Sequence, residues 1–243
     1  MSNTKLRRRA MLGGGDPNDV VDFGLSVKWL KYNLAGDKFT DNESDYGYYY
    51  QWASTTGYPD TSTHIFYWST CPYCNGSATS FTKYVASFSY GTVDNKKVLD
   101  PEDDAVTALL GSKYKMPTTA EFKELYNHCG GANSGSLSGT TSVSSKGTYW
   151  VAAGTTVDGI KYTNAGCLFV GQDITNRIFF PASGNCYYSS VKYVGSNGNY
   201  WSSSLNSINS YDAYHLLFDK SGVNPDNYNY RYYGFSVRGV KVV

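Results

Sequence analysis

The C-terminal quarter of the chain, NCYYSSVKYVGSNGNYWSSSLNSINSYDAYHLLFDKSGVNPDNYNYRYYGFSVR at residues 185–238, determines how we interpret the rest of the sequence. It holds ten of the 24 tyrosines, with asparagines between them in a framework of apolar and glycine residues. Tyrosine offers a large amphipathic contact surface at low rotamer cost, and asparagine and serine supply adaptable hydrogen bonds. This mixture is typical of binding loops, whereas an active site would need acids, bases or metal ligands. We therefore expect a binding surface here.

Segments with strand character run between these polar residues and predict the framework that carries them: 200–204, 213–219 and 234–242. Apolar and polar residues alternate in them, as in strands with one buried face. We expect a β-meander whose apolar face is supplied by Leu216, Phe218, Phe235, Val237, Val240 and Val242. The framework is predicted to be fixed, and the tyrosine and asparagine positions between its strands are predicted to be exchangeable.

Composition limits the class of protein. A chain of 243 residues can form one large all-β or α+β domain, or two small ones. Its 21 basic and 20 acidic residues nearly cancel, so net charge suggests neither nucleic acid nor an anionic membrane as a partner. No run approaches the roughly 20 apolar residues of a membrane span. The 25 glycines and 24 tyrosines favour a turn-rich domain of many short strands.

Residues 1–19 carry a basic run and the triplet Gly13-Gly14-Gly15, and they predict a flexible arm ahead of a domain of residues 20–243. The apolar stretch that a secretory signal requires is missing between the two features. We therefore expect the protein to reach the outside on a virion, or to sit on a cell surface through a leader outside this sequence. Five cysteines leave one unpaired in any disulfide scheme, which favours a reducing site of synthesis.

Two tracts before residue 53 favour core strands, 20–30 and 46–52, because they are rich in β-branched and aromatic residues. The acidic segment 41–45 between them lacks the spacing of a calcium-binding loop, so we prefer a solvated loop to a Ca²⁺ site. After a Ser/Gly/Thr-rich loop at 132–146, further short strands alternate with turn residues: 148–153, 159–162, 166–170 and 177–181.

Helical patterns occur twice. Acidic residues at 100–104 precede the apolar run 105–110, which predicts a short helix with negative charge at its positive end. Thr118 and Glu121 have the spacing of a capping box. The apolar positions that follow recur at helical spacing and end before a glycine pair, which predicts a helix with one buried stripe formed by Phe122, Leu125, Tyr126 and Cys129.

Residues 54–99 are predicted to be a long irregular insertion that contains Cys71-Pro72-Tyr73-Cys74. A glutaredoxin-like redox site has this pattern, but Asn75-Gly76 follows where a helix would have to continue. A structural zinc site would need His64 and Cys129 as well, because one C-x-x-C motif supplies only half of a tetrahedral shell. We favour a turn closed by a local thiol pair and leave open whether it forms a disulfide or binds a metal.

Catalytic motifs are weak throughout the chain, and we predict neither an enzyme nor a cofactor. Leu137 stands where the G-x-S-x-G elbow of a serine hydrolase needs its serine. His215 and Asp212 would face opposite sides of a strand, so a base with its orienting carboxylate is not expected. The glycine triplet at 13–15 has neither a strand before it nor a helix after it, as a phosphate-binding loop would.

Six motifs in order resemble a paralogous domain family of Bacteroides-type gut bacteria and their phages: VDFGLSVKW (21–29), DYGYYYQWA (45–53), YKMPTTAEFKEL (114–125), IFFPASG (178–184), GNYWSSS (198–204) and YYGFSVRGVK (232–241). Members with such a C-terminus resemble the variable proteins of diversity-generating retroelements, whose adenine codons are rewritten by an error-prone reverse transcriptase. The resemblance implies an α+β class, the C-type lectin fold in its formylglycine-generating-enzyme-like branch, with short-stranded antiparallel sheets and about two helices.

The same resemblance implies a division of residues in the variable region, 185–233, and in the segment that follows it. Trp201, Ser202 to Ser204, Phe235, Val237 and Arg238 would be framework. The expected ligand-binding residues are Tyr187, Tyr188, Tyr193, Asn206, Asn209, Tyr211, Tyr214, His215, Asn227, Tyr228, Tyr230 and Tyr232. The paired C-terminal cysteines of formylglycine-generating enzymes and the acidic cluster of calcium-dependent lectins are both missing, so neither catalysis nor calcium is carried over.

We therefore predict a ligand-binding adhesin of a phage tail whose C-terminal surface is diversified and binds a protein or glycan receptor on a bacterial surface. Residues 1–19 are the expected contact with other virion or tail proteins. The alternative is a bacterial surface adhesin or carbohydrate-binding module that is not diversified. A third class, an enzyme of the formylglycine-generating kind, would require metal bound at paired cysteines.

Overall fold

The structure is a computed structural model that describes residues 14–243, so the basic run of the predicted arm lies outside the described residues. The described end of that arm, residues 14–19, contacts the domain. Gly15 donates its backbone N–H to Thr40 O at 2.8 Å, and the Tyr32 hydroxyl donates to Asp19 at 2.8 Å. Lys31 forms an ion pair with the same carboxylate. Residues 14–19 therefore contact the domain that follows them.

The predicted fold class, α+β with the C-type lectin fold, is wrong. Strands account for 39% of the structure and helices for 8%, which fits a β-rich fold. The physical reason is the rarity of helical periodicity in this sequence, since it covers two short segments only. The strands are Val20–Val21 (β1), Val27–Ala35 (β2), Lys38–Phe39 (β3), Tyr114–Lys115 (β4), Asn133–Leu137 (β5), Thr140–Thr141 (β6), Gly147–Val151 (β7), Thr155–Val157 (β8), Ile160–Tyr162 (β9), Gly166–Val170 (β10), Arg177–Pro181 (β11), Asn185–Tyr187 (β12), Ser190–Lys192 (β13), Asn197–Leu205 (β14), Asp212–Asp219 (β15), Gly222–Tyr230 (β16) and Arg238–Val242 (β17).

The two predicted helices are confirmed, at Ala105–Leu110 (α1) and Thr119–His128 (α2). Asp104 caps α1 by accepting hydrogen bonds from the backbone N–H groups of Val106 and Thr107. Thr118 and Glu121 form the capping box of α2. The apolar stripe of α2 packs into the core, where Phe122 and Leu125 are buried beside Trp29.

Within residues 14–243, the strands form five small sheets. The largest has the order β1-β2-β17-β4, with β3 paired to β2, and is antiparallel throughout. The second has the order β11-β10-β7-β5, and the third, β14-β15-β16, is an antiparallel meander. The remaining two are β6-β8-β9 and the hairpin β12-β13. The last strand, β17, leaves the predicted meander because it pairs with β2 near the start of the chain.

Three further predictions differ from the structure. The segment 132–146, predicted as a loop, contains β5, which pairs in parallel with the buried strand β7. The tract 46–52 forms isolated bridges, as between Tyr50 and Phe235, instead of a strand of a sheet. The bridging partner Phe235 lies in the segment 234–236, just before β17 begins at Arg238. The strand β16 was not predicted, because Pro225 and four polar residues interrupt its pattern; it is an edge strand, where proline is tolerated.

Candidate functional site

The three-stranded sheet β14-β15-β16 has two different faces. Tyr200 and Leu216 lie opposite each other on one face, where they are fully buried against helix α2. The other face carries the pair His215 and Asn227. Because successive side chains of a strand point to opposite faces, this second face collects the polar residues that alternate with the core residues. One sheet therefore closes the core on one side and presents polar groups on the other.

A cavity of about 290 Å³ opens above this polar face, and we name it the asparagine pocket. Side chains of β14, β15 and β16 line it together with the β12-β13 hairpin. Five of its residues are asparagines, and the tyrosines belong to the hairpin and to the segment after β16. The lining residues are Asn185, Tyr187, Lys192, Tyr193, Asn197, Asn199, His215, Leu217, Asn227, Asn229, Tyr233 and Phe235.

His215 lines the asparagine pocket and is almost fully buried, with 1% of its surface exposed. Its Nδ1 lies 3.3 Å from Leu216 O, and because a carbonyl can only accept, Nδ1 must carry the proton. Burial lowers the pKa of the imidazole to about 3, so the ring is neutral at pH 7 and Nε2 is an acceptor. No described residue donates a hydrogen bond to this Nε2.

The asparagines of the pocket expose donors. The side-chain oxygens of Asn227 and Asn229 accept hydrogen bonds from the backbone N–H groups of Tyr228 and Tyr230, each at 2.9 Å. No residue of the described chain pairs with their amide nitrogens. Asn199 differs, since its amide donates to Gly184 O at 3.1 Å. The pocket thus combines free amide donors with one buried acceptor.

Beside the pocket, aromatic rings of the insertion pack against rings of the C-terminal region, and we name this cluster the tyrosine ridge. Trp68 contacts Tyr230 and Tyr232, with ring centroids 5.7 and 4.7 Å away. The ridge joins the pocket through Tyr187 and Tyr233, whose stacked rings are 5.0 Å apart. Its members are Tyr67, Trp68, Tyr90, Tyr187, Tyr188, Tyr211, Tyr230, Tyr232 and Tyr233.

The predicted ligand-binding residues fall into four places. The pocket contains Tyr187, Tyr193, His215 and Asn227, and the ridge contains Tyr187, Tyr188, Tyr211, Tyr230 and Tyr232. Tyr214 and Tyr228 pair with each other on the face of the sheet opposite the pocket. Asn206 and Asn209 form the turn before β15, where buried Asn206 accepts from the N–H groups of Ile208 and Asn209. The structure therefore brings the first two groups together and separates the other two.

Several pocket residues were not among the predicted ones. Asn199 and Asn229 have the same alternating spacing as Asn227, and this spacing was the available signal. Phe235, predicted as framework, also lines the pocket. Tyr67, Trp68 and Tyr90 of the ridge belong to the insertion, and no sequence pattern links them to the C-terminal tyrosines more than a hundred residues away.

The insertion is held by a cluster of charges. The ammonium group of Lys83 lies 2.6 Å from Asp103, 2.7 Å from Asp100 and 3.3 Å from Glu102. These three carboxylates are close enough together to hold a metal ion, but the lysine ammonium already supplies their positive charge. The Tyr84 and Tyr73 hydroxyls also donate to Asp103, and its pKa is lowered by Lys83 and these donors against the opposing effect of burial.

Cys71 and Cys74 form a disulfide, which closes the turn predicted for them. The other two members of the hypothetical zinc set lie elsewhere. His64 stacks on Tyr58 with ring centroids 3.8 Å apart and bonds Gln51, while Cys129 is buried at the end of α2. Burial raises the pKa of the Cys129 thiol to about 12.

A second cavity, of about 530 Å³, lies on another side of the molecule between β1, β9 and the start of β11. Most of its charged side chains form ion pairs, either within the lining or with a residue outside it. Arg177 forms an ion pair with Asp158 at 2.6 Å, and Lys31 pairs with Asp19. Burial raises the pKa of Glu43 in this cavity. Although larger, this cavity shows no buried side-chain polar atom that lacks a partner in its described lining.

Together these features define a β-rich protein with an asparagine-lined pocket, free of carboxylates in its described lining, beside an aromatic ridge. A protein-family profile described as Domain of unknown function (DUF8237) matches residues 169–240, which include β11 to β16 and all pocket residues. No curated protein and no solved structure matches the chain. Among residues 14–243, none of the helices combines the length and apolar character needed to cross a bilayer.

Proposed function

We propose that this protein is a receptor-binding adhesin of a phage tail, and that a retroelement diversifies its C-terminal surface. The observation that carries the proposal is the difference in exposure between the predicted framework and the outermost residues of the predicted contact set. Trp201, Val237 and Arg238 are fully buried, whereas Tyr193 and Tyr230 of the predicted contact set are 61% and 43% exposed. Substitution at exposed positions usually changes stability little, so a surface of this kind tolerates replacement while its framework persists.

Backbone conformation at the β12-β13 hairpin supports a binding role. Tyr188 and Tyr193 have φ angles of 52° and 61°, in the left-handed region that glycine and asparagine adopt more readily. Such strain amounts to about 1–3 kcal/mol per residue and is concentrated at functional sites. Here it places two tyrosine rings at the edge of the pocket and the ridge, where a receptor would meet them.

Deep sequencing of the gene across a cultured population of its source tests the diversification. We expect substitutions confined to Asn, Tyr and Ser codons between 185 and 232, with Trp201 and Phe235 unchanged. An even and sparse distribution of substitutions would contradict a retroelement and favour the second candidate, a fixed surface adhesin or carbohydrate-binding module. The asparagine-lined pocket is the observation that favours this second candidate.

Binding to host cells tests the surface itself. Tyr230→Ala or Tyr211→Ala should weaken binding by about 1–4 kcal/mol if either ring is a hot spot, with a folded domain by circular dichroism. The matched control is Tyr126→Ala, which removes a half-buried tyrosine from α2, away from pocket and ridge. Unchanged binding in all pocket and ridge variants would refute this surface.

A further inference from the structure

The buried acceptor of His215 has no partner although the rest of its environment is well organised. Trp201 and Phe235 hold the ring, with centroids 5.8 and 4.6 Å away, and Leu216 O fixes the tautomer. Buried polar atoms in folded proteins nearly always have a hydrogen-bond partner, either in the protein or in ordered water. Because His215 lines the asparagine pocket, a donor bound there can supply the partner that Nε2 lacks.

The remaining described lining is polar, and it offers no counter-charge to a cationic ligand. No carboxylate contributes to the pocket, and Lys192 is its one charged residue among those that the structure describes. The Lys192 ammonium lies 5.3 Å above the Tyr187 ring, at the rim. Amide nitrogens of Asn227 and Asn229 offer donors to oxygen atoms, and His215 offers an acceptor. Hydroxyl groups satisfy both, because each can donate and accept.

The size and rim of the pocket favour a single ring. Its volume of about 290 Å³ lies just below the roughly 300–1,000 Å³ of sites for drug-sized molecules. Tyr187, Tyr193 and Tyr233 border it with aromatic surface, against which the apolar C–H face of a saturated ring can pack. A hydroxylated ring with an apolar face is a sugar.

We propose that the asparagine pocket binds one neutral sugar ring of a surface glycan, with a ring hydroxyl donating to His215 and the amides of Asn227 and Asn229 donating to other hydroxyls. This inference rests on the proposed function, since it takes the same surface as the one that meets the receptor. It adds the chemical class of the ligand and three residues that recognise it.

The test is saturation-transfer NMR on the whole chain, in EDTA, with the methyl glycosides of glucose, galactose, mannose, N-acetylglucosamine, fucose and rhamnose added one at a time. We expect transfer to at least one glycoside. The double variant N227D/N229D should reduce it at least fivefold, because aspartate keeps the oxygen that caps the neighbouring N–H but loses the amide donors. His215→Phe should abolish it, and thermal unfolding confirms that each variant is folded.

Asn224→Asp is the matched control. Asn224 lies on β16, accepts from the backbone N–H of Asp226 and does not line the pocket, so transfer should persist. Absence of transfer to every glycoside overturns the inference, as does transfer that the pocket variants leave unchanged or that the control loses equally. Host-cell binding by the same protein separates the two proposals: cell binding without sugar transfer refutes the sugar pocket alone, and sugar transfer without cell binding refutes the adhesin.

Discussion

Arg238 and Arg231 lie seven residues apart and are both fully buried, yet the regions around them are built differently. Arg238 stands in the framework, the sheet of β2 and β17 with its neighbour β11. It donates to Asn33 Oδ1 and to the carbonyls of Leu30, Lys31 and Phe179, at 2.6–3.1 Å. Every nitrogen of its guanidinium has an acceptor there.

Arg231 stands under the ridge, where the insertion meets the end of β16. Its Nη1 donates to Ser210 O at 3.1 Å and Lys83 O at 3.4 Å, its Nη2 reaches Pro72 O at 3.5 Å, and its Nε has no partner among the described residues. The guanidinium also lies over the rings of Trp52 and Phe81. In the framework, paired strands position the acceptors in advance. Around Arg231, by contrast, a single guanidinium donates to carbonyl groups of separate loops. The packing of the insertion therefore depends on side-chain contacts.

The largest effect is expected from Arg238→Met. Methionine fills much of the volume but removes the donor from three buried acceptors and one partly buried acceptor, so we expect the free energy of unfolding to fall by roughly 3–5 kcal/mol. Chemical denaturation followed by tryptophan fluorescence measures it. The matched control, Arg177→Met, removes a partly exposed ion pair with Asp158 and should cost about 1 kcal/mol or less. Equal losses in the two variants would show that Arg238 has no special role in the framework.

Arg231→Met should cost less, about 1–3 kcal/mol, because its hydrogen bonds are longer and one nitrogen is already unpaired. The effect should also be local. Hydrogen exchange should accelerate in the insertion at residues 66–90 while β2 and β17 keep their protection. A loss as large as that of Arg238→Met, or faster exchange throughout the core, would break the distinction between the two regions.

The sequence predicts the framework better than the insertion, because short-range sequence patterns mark the framework and contacts between distant residues form the insertion. Capping at Thr118 and the apolar stripe after it are short-range patterns, and both are found in α2. The contacts of Arg231 with Lys83 and Pro72 join residues about 150 positions apart, as does the packing of Trp68 on Tyr232. These pairings follow from the tertiary fold, which no local pattern encodes.

The candidate site was predictable in its composition and less so in its arrangement. Alternation of tyrosine and asparagine marked 185–233 as a surface, but it did not show that β16 is a strand. Without that strand, the division of Asn227 and Tyr228 between two faces could not be deduced. Tyr232 was predicted as a contact residue because of its type, yet it is 3% exposed and is buried within the ridge, against Trp68.

A pH titration tests two buried groups of strand β15, His215 and Asp212. His215 contacts the framework rings of Trp201 and Phe235, and Asp212 begins the strand after the turn. Burial lowers the pKa of His215 to about 3, below its usual value of about 6.5. The stability that the neutral ring contributes should therefore be lost as pH falls below 6.5. Relative to His215→Phe, the wild type should lose up to about 3 kcal/mol between pH 6.5 and pH 4.

Asp212 acts in the opposite direction. Burial raises its pKa to about 6, so its contribution is present at low pH and is lost as pH rises through 6. In the wild type, Asp212 therefore opposes the loss of stability that His215 causes as pH falls. Asp212→Asn removes this opposing contribution, so the unfolding free energy of the variant should fall more steeply toward pH 4 than that of the wild type. Parallel pH profiles for the wild type and both variants would contradict these protonation states.

The smallest effect is expected from Tyr228→Ala. Tyr228 is 54% exposed on the face of the sheet opposite the pocket, so we expect the free energy of unfolding to change by about 0.5 kcal/mol or less. Tyr232→Ala, at a position of the same residue type four residues later, should cost about 3 kcal/mol because it empties a buried site. Denaturation of the two variants side by side measures the difference between an exchangeable position and a structural one. If Tyr228→Ala is as destabilising as Tyr232→Ala, exposure does not mark the exchangeable positions, and the division between framework and contact surface must be drawn by other means.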